Sequence, residues 1–254
     1  MQAFGHPFAN MFGEIKNALG ERLDYTFHPG KPGLKKIVLV GHGVTGNKDR
    51  PFLIALAEAL SVAGFPVLRF SYSGNGDSQG RFVDSTVTKE TADLGSVIDA
   101  LKGWTVAYVG HSMGGAVGVL RASVDPRIAY LVSLAGMVHT RAFSQREFGT
   151  VIPDQGCMWD EPTCPLSSAY MNDLAQIDTL VGLASQIRVP WLLIHGTEDD
   201  VVPITDSREI AARADSSRTQ LLEIAGAGHL FAESHLPTLI HAVVDWISQR
   251  FTER

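Results

Sequence analysis

Cysteine is scarce in this chain of 254 residues: Cys157 and Cys164 are the only two. Their spacing fits neither a zinc site nor a disulfide framework, so both are expected to be ordinary thiols. No charge of one sign dominates, with 21 Lys and Arg against 27 Asp and Glu for a formal net charge of −6. That balance lacks the basic stripe that neutralises a phosphate backbone, which argues against nucleic acid as a partner. Long apolar runs are also missing. The longest, residues 129–138, is broken by Ser133 and Gly136, falls far short of the roughly 20 residues that span a bilayer, and reads as a buried strand. Residues 1–8 have no basic start followed by an apolar run, so no secretory signal is visible and the expected compartment is cytoplasmic. The nine histidines are scattered, without His-Glu-x-x-His or a comparable cluster, and no metal or other cofactor is expected.

What is present is enough apolar residue, 45%, to bury one large core. Short β-branched runs at 36–40, 66–70, 105–109 and 128–134 alternate with helix-period segments at 52–63, 91–101 and 114–123. Nearly uniform apolarity within each run predicts a mostly parallel, doubly wound α/β sheet covered by helices on both faces. The rhythm fails from 137 to 188, a stretch rich in Pro, Met and aromatic residues. It resumes with strands at 191–194 and 220–224 and helices at 205–214 and 236–251. The expected organisation is one domain: core residues 1–136, an insertion at 137–188 after the sixth strand, and core residues 189–254. An insertion of that length is more often functional than a plain connector.

The sharpest motif is Gly110-His111-Ser112-Met113-Gly114, between an apolar run and a helical one, the pattern of a nucleophile elbow. A serine forced into a sharp strand-to-helix turn needs small neighbours two residues either side. A hydroxyl is a weak nucleophile on its own and needs a base held by a carboxylate. Downstream, the strand at 191–194 runs into His195-Gly196-Thr197-Glu198-Asp199-Asp200. The strand at 220–224 runs into a glycine-rich loop ending at His229, so serine, acid and histidine occur in that order. Oxyanion donors are expected from the backbone N–H groups of Met113 and of Val44, in the loop after the first parallel strand. That loop also spells Gly41-x-Gly43-x-x-Gly46, the outline of a dinucleotide site. However, Asn47-Lys48-Asp49-Arg50-Pro51 separates it from its helix and no acid closes the next strand, which argues against a nicotinamide cofactor. His42, His111 and His195 flank motif residues and are expected to orient loops by hydrogen bonding.

On these anchors, together with Arg69-Phe70-Ser71-Tyr72-Ser73-Gly74-Asn75-Gly76-Asp77-Ser78, the chain resembles the α/β-hydrolase superfamily of serine hydrolases over essentially its whole length. It is most similar to small bacterial carboxylesterases of the cinnamoyl and feruloyl esterase type, which share the His42-Gly43-x-Thr45-Gly46-Asn47 loop and a short cap after the sixth strand. The resemblance implies the α/β-hydrolase fold, Ser112 as nucleophile, His229 as base and acid, Val44 and Met113 as oxyanion donors, and no cofactor. The Gly196-x-x-Asp199 spacing usual in that fold prefers Asp199 over Glu198 and Asp200. The implied partner is a small-molecule ester, with acyl or hydroxycinnamoyl-type aryl groups bound by Phe148, Met158, Trp159, Tyr170 and Val201. The cap aromatics have an alternative use as the cap's own small core. Monoacylglycerol lipase, thioesterase and aminopeptidase-type amidase chemistry on the same fold, and a non-catalytic ligand-binding homologue, are the competing readings. A homodimer is left open.

Overall fold

The computed structural model describes residues 11–252. The N-terminal residues 1–8, read above for a secretory pattern, lie outside that range. Strands β1 (Ile15–Lys16) and β2 (Arg22–Leu23) form a two-stranded antiparallel sheet. Seven further strands make one sheet: β3 (Tyr25–His28), β4 (Lys36–Gly41), β5 (Val67–Phe70), β6 (Thr105–His111), β7 (Ile128–Leu134), β8 (Trp191–Gly196) and β9 (Thr219–Ile224). Their spatial order is β3-β5-β4-β6-β7-β8-β9, with only β3 antiparallel to its neighbour. The helices are α1 (Pro51–Val62), α2 (Val87–Ala100), α3 (Met113–Ala122), α4 (Thr140–Phe148), α5 (Ser168–Ile177), α6 (Ile204–Arg213) and α7 (Leu236–Thr252).

Because side chains alternate across a strand, each central strand feeds two cores. Ile37 and Leu39 of β4, with Val106 and Tyr108 of β6, point into the layer closed by α2, α3 and α6. Val38, Val40, Ala107 and Val109 point into the layer closed by Phe52, Leu53 and Leu56 of α1 and by Val243, Trp246 and Phe251 of α7. Pro51 starts α1, where its missing N–H costs nothing and its fixed φ suits the first turn. The strand β9 departs from the uniform apolarity of the others, alternating half-buried with exposed residues, because it forms the edge of the sheet.

The strand preceding the 137–188 insertion is β7, seventh in chain order and fifth in the main sheet, not the sixth. Two-residue β1 and β2 and the polar edge strand β3 are too short or too mixed to carry a strand signal in sequence. The inserted segment is built from α4, α5 and two 3-10 turns at Met158–Asp160 and Val181–Gln186. The Ser167 hydroxyl caps α5 by accepting from the Tyr170 N–H at 3.1 Å. Within this segment Cys157 and Cys164 are free thiols. Among the described residues no helix is long and apolar enough to cross a membrane.

The chain passes from β4 outward to β5 and then returns to β6, so the sheet order reverses between β4 and β6. At such a switch point the loops leaving two adjacent parallel strands diverge and open a crevice. Gly41 of β4 pairs with Gly110 of β6, which brings the Gly43–Gly46 loop and Ser112 to that crevice.

Candidate active site

Strand β6 ends at His111, and Ser112 turns the chain at φ 55° and ψ −118° before α3 begins at Met113. A left-handed backbone costs a non-glycine residue about 1–3 kcal/mol and persists only where its surroundings hold it. Here the Ser112 N–H donates to the Leu134 carbonyl at 2.9 Å, and the Ser112 carbonyl accepts from Gly115 and Met137 N–H at 2.9 and 3.0 Å. A Cβ on Gly110 would lie 2.1 Å from the Gly114 carbonyl oxygen, so the elbow closes only with glycine there. The Ser112 hydroxyl makes no capping bond to α3. Ser112 instead lines a cavity of about 410 Å³ shared with Val44, Thr45, Arg50, Trp159, Val201 and His229.

Met113 is the first residue of α3, where backbone N–H groups have no acceptor within the helix and the helix dipole favours negative charge. The loop after β4 packs directly on the serine: a Cβ on Gly43 would lie 3.0 Å from Ser112 Cβ. Gly43 and Val44 both border the cavity as a result.

On the other side, the loops after β8 and β9 converge. The Asp199 carboxylate is fully buried, and its Oδ2 accepts from His229 Nδ1 at 2.8 Å and from His195 Nε2 at 3.1 Å. Its Oδ1 accepts from the Val201 and Val202 N–H groups at 2.9 and 2.8 Å. Burial alone would raise this carboxyl's pKa. The hydrogen bonds from His195, His229 and the Val202 N–H outweigh burial and hold it well below the usual range. An ionised Asp199 can only accept, so the His229 proton sits on Nδ1 and leaves Nε2 as the acceptor. Glu198 and Asp200, the other two acids of the loop, are exposed.

The three flanking histidines orient the loops as the sequence suggested, and His195 does more. Its Nε2 faces two acceptors, Asp199 Oδ2 and the Val202 carbonyl at 2.9 Å, while Nδ1 meets Ser207 Oγ at 2.7 Å. It therefore ties the acid to α6. His111 Nε2 donates to the His229 carbonyl at 3.0 Å, and its ring lies 4.8 Å from the rings of both His229 and Phe52. His42 Nδ1 donates to the Gly43 carbonyl at 2.8 Å, while Nε2 accepts from the Tyr72 N–H at 3.2 Å.

Burial, reinforced by the neighbouring His229, pushes His111 down to about 3, and burial pushes His42 down to about 4. An unfolded chain would protonate both near 6.5, so between pH 6.5 and 4 the unfolded state binds more protons than the folded one. Their contribution to stability is complete above pH 6.5 and falls as the pH drops toward 4, by up to about 1.4 kcal/mol per pH unit for each ring. Thermal unfolding followed from pH 7.5 to 4.5 should show Tm dropping steeply below 6.5. His42→Asn should flatten that slope, and an unchanged slope would show that His42 is not the group responsible.

Of the pocket residues expected from sequence, Trp159 and Val201 border the Ser112 cavity. Met158 and Tyr170 border a narrower one behind Val44 and Met113. Phe148 borders neither; its buried ring packs 5.9 Å from Phe143 and 4.9 Å from Trp159, within the inserted segment's own core. The narrower cavity also has a polar side that sequence reasoning missed, formed by Asn75, Ser85, Ser167 and the buried Glu90. Burial first, then the nearby Asp93 and Asp173, raise Glu90 well above the usual carboxyl range. Arg50 was missed as well, although it closely follows the Gly43–Gly46 loop. Among the described residues no group of three or more His, Cys, Asp or Glu side chains is placed to hold a metal ion.

Residues 36–161 match the alpha/beta hydrolase fold family, and residues 165–234 match the family described as serine aminopeptidase, S33. Among curated proteins, the mitochondrial palmitoyl-protein thioesterase ABHD10 of Bos taurus is 26% identical, aligned over 83% of this chain and 72% of its own length. Est1E from Butyrivibrio proteoclasticus, solved with ferulic acid bound, superposes with a TM-score of 0.83 at 24% identity, covering 94% of this chain and 99% of that one. Mouse alpha/beta hydrolase domain-containing protein 10 superposes with a TM-score of 0.75 at 22% identity, covering 90% and 95%. At these identities the two solved structures speak for the fold alone. The strand order, the elbow at Ser112 and the matches at both ends of the sheet agree, and the chain belongs to the alpha/beta hydrolase superfamily.

Proposed function

We propose that this protein is a serine esterase that cleaves small acyl or aryl esters through an acyl-enzyme, with Ser112 as nucleophile, His229 as base and acid, and Asp199 as the carboxylate that orients it. The observation that carries this reading is the 2.8 Å Asp199–His229 pair, opening on the same cavity as a serine held in a strained turn. His229 Nε2 takes the Ser112 proton as Oγ attacks the ester carbonyl, and the oxyanion that forms is received by the N–H groups of Val44 and Met113. His229 then protonates the departing alcohol. Water enters, gives its proton to the same nitrogen, attacks the acyl carbonyl and releases the acid with Ser112 restored. In this reading the 137–188 segment acts as a cap, with Trp159 over the Ser112 cavity.

A second reading, thioester cleavage, is favoured by the relatives named palmitoyl-protein thioesterase. The same groups would serve it, since a thiolate leaves more readily than an alkoxide. A panel of 4-nitrophenyl acetate, butyrate, octanoate and palmitate, methyl ferulate, butyryl and palmitoyl thioesters and an aminoacyl anilide separates these readings. The expected outcome is highest kcat/KM on short acyl or hydroxycinnamoyl oxygen esters, with at most slow anilide cleavage. Preference for palmitoyl thioesters by about tenfold or more would transfer the assignment to the thioesterase reading. A folded protein silent on every substrate would overturn both.

A further inference from the structure

Arg50 is half-buried and borders the Ser112 cavity together with Trp159. It also borders a neighbouring recess of about 480 Å³ whose wall includes Asn47, Asp49, Glu161 and Thr163. Arg50 is therefore common to the walls of both spaces, as is Thr45, whose carbonyl accepts from the Arg50 Nη2. Among the described residues no carboxylate lies within 4 Å of it. Asp49, adjacent in sequence, is instead held by Lys48 at 2.7 Å and Arg69 at 2.9 Å. Asp200 lines the same cavity but is exposed to solvent. The hydrogen bond that steadies Arg50 runs from Nη2 to the Thr45 carbonyl at 3.2 Å, which occupies one of its five donors. Its charge is one of the forces that keep the buried His42 and His111 neutral, so the field of the guanidinium reaches the floor of the site.

A half-buried arginine without a carboxylate partner, bordering the same cavity as the serine, is arranged to pair with an oxyanion. We propose that Arg50 selects substrates carrying an anionic oxyacid group, a carboxylate or a phosphate monoester, on the part of the ester that lies toward the neighbouring recess. This rests on the hydrolase reading and adds to it a substrate class. The indole of Trp159, bordering both spaces, supplies an apolar wall for the carbon skeleton between the ester and the anion.

Matched pairs test the inference: 4-butyryloxybenzoate against its methyl ester, 4-butyryloxyphenyl phosphate as the phosphate probe, and 4-nitrophenyl hemiadipate against 4-nitrophenyl hexanoate for an anion on the acyl side. At low salt the native protein should prefer one anionic member by about tenfold or more in kcat/KM, about 1.4 kcal/mol, and the preference should shrink in 0.5 M salt as the charges are screened. Arg50→Met should abolish the preference, mainly through KM, and Arg50→Lys should keep part of it. Equal losses on charged and neutral members would show that Arg50 only steadies the Thr45 loop, and would overturn the proposal. So would the absence of any anionic preference in the native protein. Calorimetry on Ser112→Ala with the non-hydrolysable 4-butyramidobenzoate and its methyl ester separates this from the parent reading. Arg50-dependent binding of the carboxylate without native turnover of any ester would remove the esterase and keep the anion site. Turnover without selective binding would do the reverse.

Discussion

Replacing Ser112 by alanine should reduce kcat/KM on any ester the native protein cleaves by about 10⁴-fold or more, while moving Tm by no more than about 2 °C. The separation of the two effects follows from the geometry. The Ser112 backbone is held by bonds from its own N–H and carbonyl to Leu134, Gly115 and Met137, none of which involves the hydroxyl. That hydroxyl caps nothing on α3, so alanine removes the proposed nucleophile and leaves the elbow. On the proposed mechanism what remains is a cavity with two N–H donors and a base but no attacking oxygen, and such remnants retain only a small part of the acceleration. The same logic predicts non-additivity. His229→Ala alone should cost about as much as Ser112→Ala, and the double variant scarcely more, because serine and base act as one unit. Initial rates on 4-nitrophenyl butyrate, paired with calorimetric unfolding of each variant, would check both. A Ser112→Ala protein retaining activity within tenfold of native would remove this serine from the reaction.

The parts of the candidate site that were legible in the sequence are those whose physics is local. Gly110-x-Ser112-x-Gly114 is legible because the elbow's steric demand falls within five residues. His229 is legible because the Ala225–Gly228 run shows a strand ending in a tight loop. The parallel sheet is legible because central strands buried on both faces carry nearly unbroken apolar runs. Where the physics is non-local, the sequence is silent. Strand β3 exists because it pairs with β5 across some forty residues, and its Tyr-Thr-Phe-His composition does not announce a strand. Glu90 reads as a solvated acid on a helix, yet that helix face packs against the site and leaves the carboxyl 1% exposed. Phe148 has the composition of a pocket residue, but its place is set by contacts with Phe143 and Trp159 that no spacing encodes. Arg50 follows a glycine loop and precedes a proline, the pattern of a connector, and only the reversal of strand order at β4 and β6 brings it to the cavity.

Asp199→Asn should reduce kcat by about 10³–10⁴-fold with the cavity otherwise intact, and the reason lies in the number of donors that meet at this carboxylate. Four N–H groups converge on its two oxygens: those of Val201 and Val202 on Oδ1, and His229 Nδ1 and His195 Nε2 on Oδ2. A carboxylate accepts all four. Asparagine can keep its carbonyl toward the two backbone donors only by turning its NH₂ toward two imidazole N–H groups, and donor would then face donor. His229 relieves the clash by moving its proton from Nδ1 to Nε2, the nitrogen that accepts from Ser112 in the proposed mechanism, and the proposed base is lost while the ring stays in place. The alternative flip leaves the Val201 and Val202 donors unpaired inside the loop at about 1–3 kcal/mol each, so loss of stability should accompany any retained activity. Asp199→Asn should also change the acid response. The native carboxyl is held well below its ordinary value, so its contribution to stability is complete above about pH 4 and is lost as the pH falls further, toward the folded-state pKa. That component should be missing from the variant, leaving the histidine-driven loss between pH 6.5 and 4. Measuring kcat together with Tm from pH 7.5 to 3 examines both consequences on one protein. Activity of the Asp199→Asn variant within tenfold of native would shift the orienting role to Glu198 or Asp200, although both are exposed.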